Sequence, residues 1–274
     1  MRSRLLPGII ALSFLFSCKK EATPVTTDPP PSAAALLKDM IVAHLPSPYY
    51  HFEYSTTGRL VFASFASDFT RYDFVYQGDK LTEMKNNILV NKDRLEYNYD
   101  NQNRIQFIQY KDSTGEFFAE SFFTYNGPKL VKVERFHKRQ QGPGTTIDRE
   151  MTLTYDANGN LYELTDHRPA TDDGQVESTT VDRYEAYDDK MNVDGFNLLH
   201  PDFFEHLFIL PGVQLQKNNP GKETRTGDGL NFQVNYTYTY NAKNVPLTKT
   251  GDAIFTNGTD VGKRFQTSTV YSYY

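Results

Sequence analysis

The chain has 274 residues, a formal net charge of −5, and an aromatic content of 14% that consists of 19 Tyr and 20 Phe with no Trp. This acidic balance excludes the basic surface that nucleic-acid binding requires, so we expect no nucleic-acid partner. The single cysteine excludes a disulfide framework, and the many aromatic residues favour β-strands within one large domain.

The first eighteen residues have the pattern of a lipoprotein signal. Arg2 and Arg4 form a basic start, an apolar stretch follows over residues 5–16, and Cys18 comes directly after it. Such a segment is a processing signal outside the fold, and it is shorter than the roughly 18 apolar residues of a membrane-spanning helix. We expect residues 1–17 to be removed as a signal peptide and Cys18 to be lipidated, with acyl chains such as palmitate holding the protein on a membrane.

A polar stretch that ends in three prolines separates the cysteine from the rest of the chain. Residues 18–31 (CKKEATPVTTDPPP) carry too little apolar surface to fold, and their prolines favour an extended, disordered tether. Lys19, rather than Asp, follows the cysteine, and by resemblance to lipoproteins of Gram-negative bacteria this residue predicts the outer membrane. The sequence leaves open whether the following domain, residues 32–274, faces the periplasm or the cell surface.

The domain begins with a segment of helical character. Residues 32–44 (SAAALLKDMIVAH) place Ala and Leu at helical spacing. They predict a short N-terminal helix, which we expect to cover an edge or an end of the following sheet.

One pattern then recurs along the chain at intervals of about 20–50 residues, which is typical of a repeated supersecondary unit. Each unit has a Tyr, a few turn-forming residues, a basic residue or Asn in most units, and an apolar residue. The seven units occupy residues 54–60, 76–81, 99–105, 125–130, 155–161, 187–193 and 240–246.

Each unit has the chemistry of a β-hairpin. Asp, Asn and Gly suit tight turns, and the flanking strands alternate between apolar or aromatic and polar residues. Tyr72, Phe74 and Tyr76, for example, share one face, and Arg71 and Asp73 share the other. We therefore predict an all-β fold: one large, curved antiparallel meander of hairpins that forms an open or partly closed barrel-like sheet.

The longest interruption of this rhythm covers residues 194–221 (DGFNLLHPDFFEHLFILPGVQLQKNNPG). Its Pro-Asp-Phe-Phe-Glu-His stretch predicts a short helical insertion near residues 200–208. We expect this insertion to pack on the sheet and to plug or cap it.

A calcium loop is one hypothesis for the turn at residues 155–161. Asp156, Asn158 and Asn160 resemble the start of an EF-hand loop. That loop needs Gly at its sixth position and Glu at its twelfth, where this chain has Leu161 and His167. The alternative, an ordinary hairpin turn, is favoured.

A metal site is a second hypothesis, for the insertion. His200, Asp202, Glu205 and His206 lie close together in sequence, but Glu205 and His206 would point apart on a helix. A zinc site needs three or four convergent ligands, so we favour a surface turn and expect no metal. Two pairs of adjacent acids lie in predicted loops or turns, and we interpret them as solvated charges. They are Asp172 with Asp173 and Asp188 with Asp189.

Parts of the chain resemble known protein families. The YDANGNL stretch that starts at Tyr155 is similar to the YD repeat of Rhs-type and teneurin-type proteins. Residues 45–274 as a whole, with the 187–192 and 210–220 stretches, resemble a group of Gram-negative outer-membrane lipoproteins. Those proteins combine a lipobox with degenerate YD-like hairpins and are described as having a porin-like β fold. The resemblance implies this fold and an envelope location, and it brings no activity with it.

Two classes of function follow. Tyrosines on one face of a sheet are usually core, but those left in a concave groove suit stacking on sugar rings or peptide side chains. We predict a membrane-anchored envelope lipoprotein with a binding or structural role, with a glycan or an envelope protein as partner. The alternative is a transmembrane, porin-like barrel, whose strands also alternate. With no catalytic or cofactor motif, we expect no enzyme and no cofactor, and the ligand-binding residues stay unassigned.

Overall fold

The structure is a computed structural model, and it describes residues 36–87, 93–140, 142–194 and 209–274. Within these residues the chain forms sixteen β-strands and no helix, so the prediction of an all-β fold is confirmed. In chain order the strands are β1 (Leu37–Val42), β2 (Tyr50–Tyr54), β3 (Leu60–Phe65), β4 (Thr70–Gln77), β5 (Lys80–Asn86), β6 (Arg94–Tyr99), β7 (Ile105–Lys111), β8 (Phe117–Asn126), β9 (Lys129–Lys138), β10 (Thr145–Tyr155), β11 (Leu161–Arg168), β12 (Ser178–Glu185), β13 (Lys222–Gly227), β14 (Phe232–Tyr240), β15 (Pro246–Phe255) and β16 (Arg264–Tyr273).

The strands form a closed barrel. Each strand pairs antiparallel with the next one in the chain, and β1 pairs with β16, where Met40 lies opposite Tyr271. The meander is as predicted, but the prediction of an open or partly closed sheet was wrong. An open sheet would leave two edges with unpaired N–H and C=O groups, and the pairing of β1 with β16 removes both.

The helix predicted at residues 32–44 was also wrong for the part that the structure describes. Residues 37–42 form β1, hydrogen-bonded to β16 on one side and to β2 on the other. Met40 is buried inside the barrel, and Ile41 faces outward beside Val270. Two ladders of hydrogen bonds outweigh the helical propensity of the Ala and Leu residues, which is a weak preference that tertiary context overrides. No helix in the described residues is long and apolar enough to span a membrane.

The hydrophobic core lies inside the barrel. In β4, Tyr72 and Phe74 point inward and are buried, whereas Arg71 and Asp73 point outward and are exposed. The same alternation around the barrel fills the interior with aliphatic and aromatic side chains. Its largest fully buried apolar side chains are Met40, Tyr72, Leu81, Met84, Leu95, Ile105, Ile108, Leu130, Leu161 and Val133.

The turns that contain the recurring tyrosines all lie at one end of the barrel, because every second connection of an antiparallel meander returns to the same end. Six of the seven predicted turns are short connections between neighbouring strands; they lie between β2 and β3, β4 and β5, β6 and β7, β8 and β9, β10 and β11, and β14 and β15. The seventh, after Tyr187, opens into the connection from β12 to β13, residues 186–221.

In four of the seven units, those of Tyr76, Tyr99, Tyr155 and Tyr187, the recurring tyrosine donates a hydrogen bond to the hairpin before it. The hydroxyl of Tyr99 donates to the carbonyl of Leu81 at 2.7 Å, and Lys80 from the same turn lies over the Tyr99 ring, 5.2 Å from its centroid. Burial raises the pKa of Tyr99 to about 12, so the hydroxyl keeps its proton and remains a donor. Equivalent bonds run from Tyr76 to Leu60, Tyr155 to Leu130, Tyr187 to Leu161 and Tyr273 to Pro246. This hydrogen bond joins the tyrosine of one unit to the residue that ends the turn of the unit before it, and so gives both repeated positions a structural role.

We expect Tyr155→Phe to lower the free energy of unfolding by about 1–2 kcal/mol, because the carbonyl of Leu130 would lose a donor at 2.7 Å. Tyr162→Phe is the matched control, since the Tyr162 side chain is 43% exposed, and we expect it to change stability by less than about 0.5 kcal/mol. Urea denaturation of both variants measures the difference. Equal losses would show that the hydroxyl–carbonyl contact is not the source.

The described end of the β12–β13 connection packs into the core. Leu210 and Leu215 are buried, the carbonyl of Ile209 accepts a hydrogen bond from the inward Tyr97 hydroxyl at 2.9 Å, and the carbonyl of Leu215 accepts one from the Leu161 N–H at 3.0 Å. For these residues the expected capping by the insertion is confirmed. The helical insertion predicted near residues 200–208 lies outside the described residues.

Candidate functional site

A cavity of about 260 Å³ lies inside the barrel, between strands β10 to β15 and the β12–β13 connection. We call it the charged chamber, because ionisable side chains form most of its wall, whereas the rest of the interior is mainly aliphatic and aromatic. It is lined by Arg149, Leu164, Asp166, Asp182, Tyr184, Asp194, Gln216, Pro220, Glu223, Arg225, Tyr236 and Lys249.

The strand register brings these residues to one wall. Asp182 of β12 lies opposite the inward Leu164 of β11 on one side and opposite Arg225 of β13 on the other. Residues opposite each other in an antiparallel pair share a face of the sheet. The charged residues therefore occupy inward positions, which apolar residues take elsewhere in the barrel.

Two arginine–carboxylate pairs anchor the wall. Arg149 donates from Nε and Nη2 to the two carboxylate oxygens of Asp166 at 2.7 and 2.8 Å, and its side chain is 1% exposed. Arg225 binds Asp182 in the same two-pronged way at 2.6 and 2.7 Å, and this bond raises the pKa of Arg225. Such planar pairs are rigid, and they fix the carboxylates in position.

A third acid enters the chamber from the β12–β13 connection. The carboxylate of Asp194 accepts hydrogen bonds from the Tyr271 hydroxyl at 2.7 Å and from the Asn192 amide at 3.2 Å, and the Lys249 ammonium lies 3.6 Å away. The connection is therefore both a cap and a contributor to the site.

The fourth acid, Glu223, differs from the other three. Its carboxyl accepts a hydrogen bond from the Tyr236 hydroxyl at 2.5 Å, but within the described parts of the chain no cation lies within 4.0 Å of it. Burial raises the pKa of Glu223 and nearby Asp182 raises it further, against the opposing effects of the Tyr236 hydrogen bond and of Lys249 and Arg225. The chamber thus favours a neutral carboxyl at this position.

We expect Glu223→Gln to stabilise the barrel near neutral pH and to leave its stability unchanged near pH 4. A carboxyl whose pKa is raised by folding contributes stability below its unfolded pKa, near 4.5, and loses that contribution as the pH rises through its folded pKa. Glutamine keeps the neutral form at every pH, so the gain is about 1.4 kcal/mol for each unit by which the pKa is raised. Thermal melts of both proteins at about pH 4 and 7.5 measure it; a gain that is equal at both would contradict the assignment.

Solvent reaches the chamber. The side chain of Arg225 is 32% exposed and that of Lys249 is 21% exposed, although both point into the barrel. A cavity with this access and this polar lining holds water in the absence of a ligand. Its fixed donors and acceptors suit binding.

The turn tested as a calcium loop is a hairpin turn. Asp156 Oδ1 accepts hydrogen bonds from the backbone N–H of Asn158 and of Asn160, both at 2.9 Å, and Gly159 adopts a left-handed φ of +84°. Asn160 Oδ1 in turn accepts from the N–H of Lys217 at 2.8 Å. These oxygens hold the turn and the connection together.

The remaining sequence candidates divide into two groups. Cys18 and the four side chains of the proposed metal site lie outside the described residues; the latter are His200, Asp202, Glu205 and His206. Of the neighbouring acids, Asp173 accepts a hydrogen bond from His137 at 3.0 Å, and Asp188 accepts bonds from Tyr240 and Asn219. Asp172 and Asp189 are exposed, as solvated charges would be.

Sequence reasoning missed the chamber. Its acids and cations come from five different strands and from the β12–β13 connection, so no local motif contains them. One signal was present in β13 (KETRTG), where Glu223 and Arg225 occupy alternate positions of a strand without any large apolar residue. Charged residues at the alternate strand positions that face a core indicate a buried polar site.

No protein-family model matches the sequence, and a search of curated proteins finds no match. Among solved structures, a porin-like protein from Bacteroides uniformis is similar to 82% of this chain and 89% of its own, with a TM-score of 0.54 and 11% identity. A TcdB2–TccC3 structure matches 79% of this chain and 13% of its own, with a TM-score of 0.29 and 14% identity. The first of these likenesses is one of fold, and it agrees with an antiparallel barrel.

Proposed function

We propose that the chain is an outer-membrane lipoprotein, anchored through Cys18, whose barrel faces water and binds a small glycan in the charged chamber. The observation that carries this proposal is a solvent-reached cavity lined by hydrogen-bonding groups inside a mainly apolar interior. Its volume of about 260 Å³ is slightly smaller than the usual ligand pocket of roughly 300–1,000 Å³. A single sugar ring is therefore a suitable occupant.

The chamber wall supports a hydroxyl-rich ligand. A carboxylate offers about four acceptor positions, and the arginine pairing of Asp166 and Asp182 leaves some of them free while it holds the oxygens still. Gln216 adds a neutral amide, and Leu164 and Pro220 add apolar surface for the carbon face of a ring. Groups that are held in place before binding lose little freedom when the ligand arrives.

The exterior supports a barrel that faces water. Outward positions on neighbouring strands hold ion pairs, such as Lys132 with Glu150 at 3.1 Å and Arg183 with Glu163 at 2.7 Å. A transmembrane barrel instead carries an apolar band on its outer face and polar residues inside. This chain has ion pairs on the outer face and a mainly apolar interior, which is the reverse of what the transmembrane alternative would need.

Isothermal titration calorimetry of the full-length protein against a panel of monosaccharides tests the proposal. We expect heat of binding from at least one sugar, and its loss in Arg225→Met, which frees Asp182 from its partner. Arg183→Met is the matched control, because Arg183 binds Glu163 on the outer face. Absence of heat across the panel, or an equal loss in both variants, would contradict binding in the chamber.

A scaffold or protein-capture role is a second candidate, supported by an aromatic cluster on the outer face. The rings of Phe107, Phe122 and Phe136 lie side by side across β7, β8 and β9, with centroids 5.6 and 5.7 Å apart, and Phe122 is exposed. Exposed apolar clusters of this kind mark interaction sites. A photo-crosslinker at position 122 should capture a defined envelope protein that one at the exposed position of Tyr162 does not.

A further inference from the structure

We propose that the charged chamber selects a hydroxyl-rich ligand with one protonated amine, an amino sugar in its chemistry, and that Glu223 binds the amine. This inference rests on the proposed function and narrows its ligand class.

The charges that line the chamber are unequal in number. Its wall holds four carboxyl groups and three cations. Asp166 is paired with Arg149, Asp182 with Arg225, and Asp194 lies 3.6 Å from Lys249. Arg168, which lies outside the lining, adds a second contact to Asp166 at 3.6 Å. Glu223 is left without a cation of its own among the described residues, and a ligand that brings one positive charge would supply it.

The groups that face Glu223 leave room for such a charge. They are Asp182 and Tyr184 of β12, Arg225 of its own strand, Tyr236 and Tyr238 of β14, Lys249 of β15, and Tyr187 and Asp194 of the connection. Both nearby cations are already engaged. Arg225 binds Asp182, and the Lys249 ammonium lies over the Tyr236 ring, 4.4 Å from its centroid.

Binding is coupled to a proton. Without a ligand, burial favours the protonated Glu223 carboxyl. A ligand ammonium replaces that proton: the carboxyl releases H⁺ to solvent, and the resulting carboxylate accepts hydrogen bonds from the ammonium. No covalent bond to the ligand forms or breaks. Affinity for the amine therefore increases as the pH rises through the pKa of Glu223, and it falls again where the amine itself loses its proton.

Three sugars that share one ring test the inference: glucosamine, glucose and N-acetylglucosamine, titrated into the full-length protein. A hydrogen bond to a charged group contributes about 1.5–3 kcal/mol, so glucosamine is expected to bind at least about tenfold more tightly than glucose. Titration in two buffers of different ionisation enthalpy should show that glucosamine binding releases protons. Glu223→Gln should abolish both the preference and the proton release.

The controls separate a binding role from a structural one. Glu223→Asp keeps the charge and should retain a reduced preference for glucosamine. Glu163→Gln removes an acid from the outer face and should change neither the preference nor the proton release. If glucose and N-acetylglucosamine bind as tightly as glucosamine, the inference is overturned while the proposed function stands. If none of the three sugars binds, the inference is overturned. The proposed function fails as well only if the wider sugar panel also gives no heat.

Discussion

Replacement of Arg149 by Met is expected to lower the free energy of unfolding by about 3–5 kcal/mol. Arg149 is 1% exposed and donates two hydrogen bonds to Asp166 inside the barrel. Loss of the guanidinium leaves a buried carboxylate without its main partner, and Arg168, with its Nε 3.6 Å from Asp166, replaces only part of the contact. Urea denaturation followed by circular dichroism measures the change.

Two further variants distinguish the charge from the volume of the side chain. The double variant Arg149→Met/Asp166→Leu removes both charges, and it should recover most of the lost stability, because apolar replacement of a whole buried pair is often neutral or stabilising. Arg183→Met breaks an ion pair on the outer face, where the Arg183 side chain is exposed, and should cost less than about 1 kcal/mol. A double variant no more stable than Arg149→Met alone would contradict this account of the pair.

Replacement of Ile108 by Ala is expected to cost about 2–5 kcal/mol, the usual range for a large aliphatic side chain deleted from a packed core. Ile108 of β7 points into the barrel and is 0% exposed. The variant loses the transfer free energy of the removed carbons and leaves a cavity in the interior.

Ile41 provides a matched control in another strand. It points outward from β1 and is 43% exposed, so Ile41→Ala should change stability in water by less than about 1 kcal/mol. The ratio of the two losses, measured by urea denaturation, reports which face of the sheet is buried. A larger loss for Ile41 than for Ile108 would reverse the assignment of inside and outside.

The hairpins were predictable from the sequence because their determinants are local. In the turn that starts at Tyr155, Asp156 caps the backbone of Asn158 and Asn160, and Gly159 supplies the left-handed residue. These contacts span a few residues, and they would form in much the same way in any fold. The alternation of strands such as β4 likewise identifies the inward face without knowledge of the partner strands.

Closure and the chamber depended on contacts that are distant in sequence. Residues 37–42 become a strand only because β16, at the other end of the chain, offers them a ladder. Asp182 and Arg225 meet across the β12–β13 connection, and Asp194 reaches Tyr271 from the middle of the chain. Local propensity therefore indicates a helix in the first case, and in the second it assigns isolated charges to a solvated face.

A barrel that faces water predicts that residues 32–274, produced without signal, tether or lipid, fold in buffer that contains no detergent. Circular dichroism and a thermal melt make the measurement. A barrel with its core inside and ion pairs outside should be soluble, rich in β-structure and cooperative in its melting. A product that aggregates until detergent is added, and then migrates differently after heating, would contradict the account and would support a transmembrane barrel.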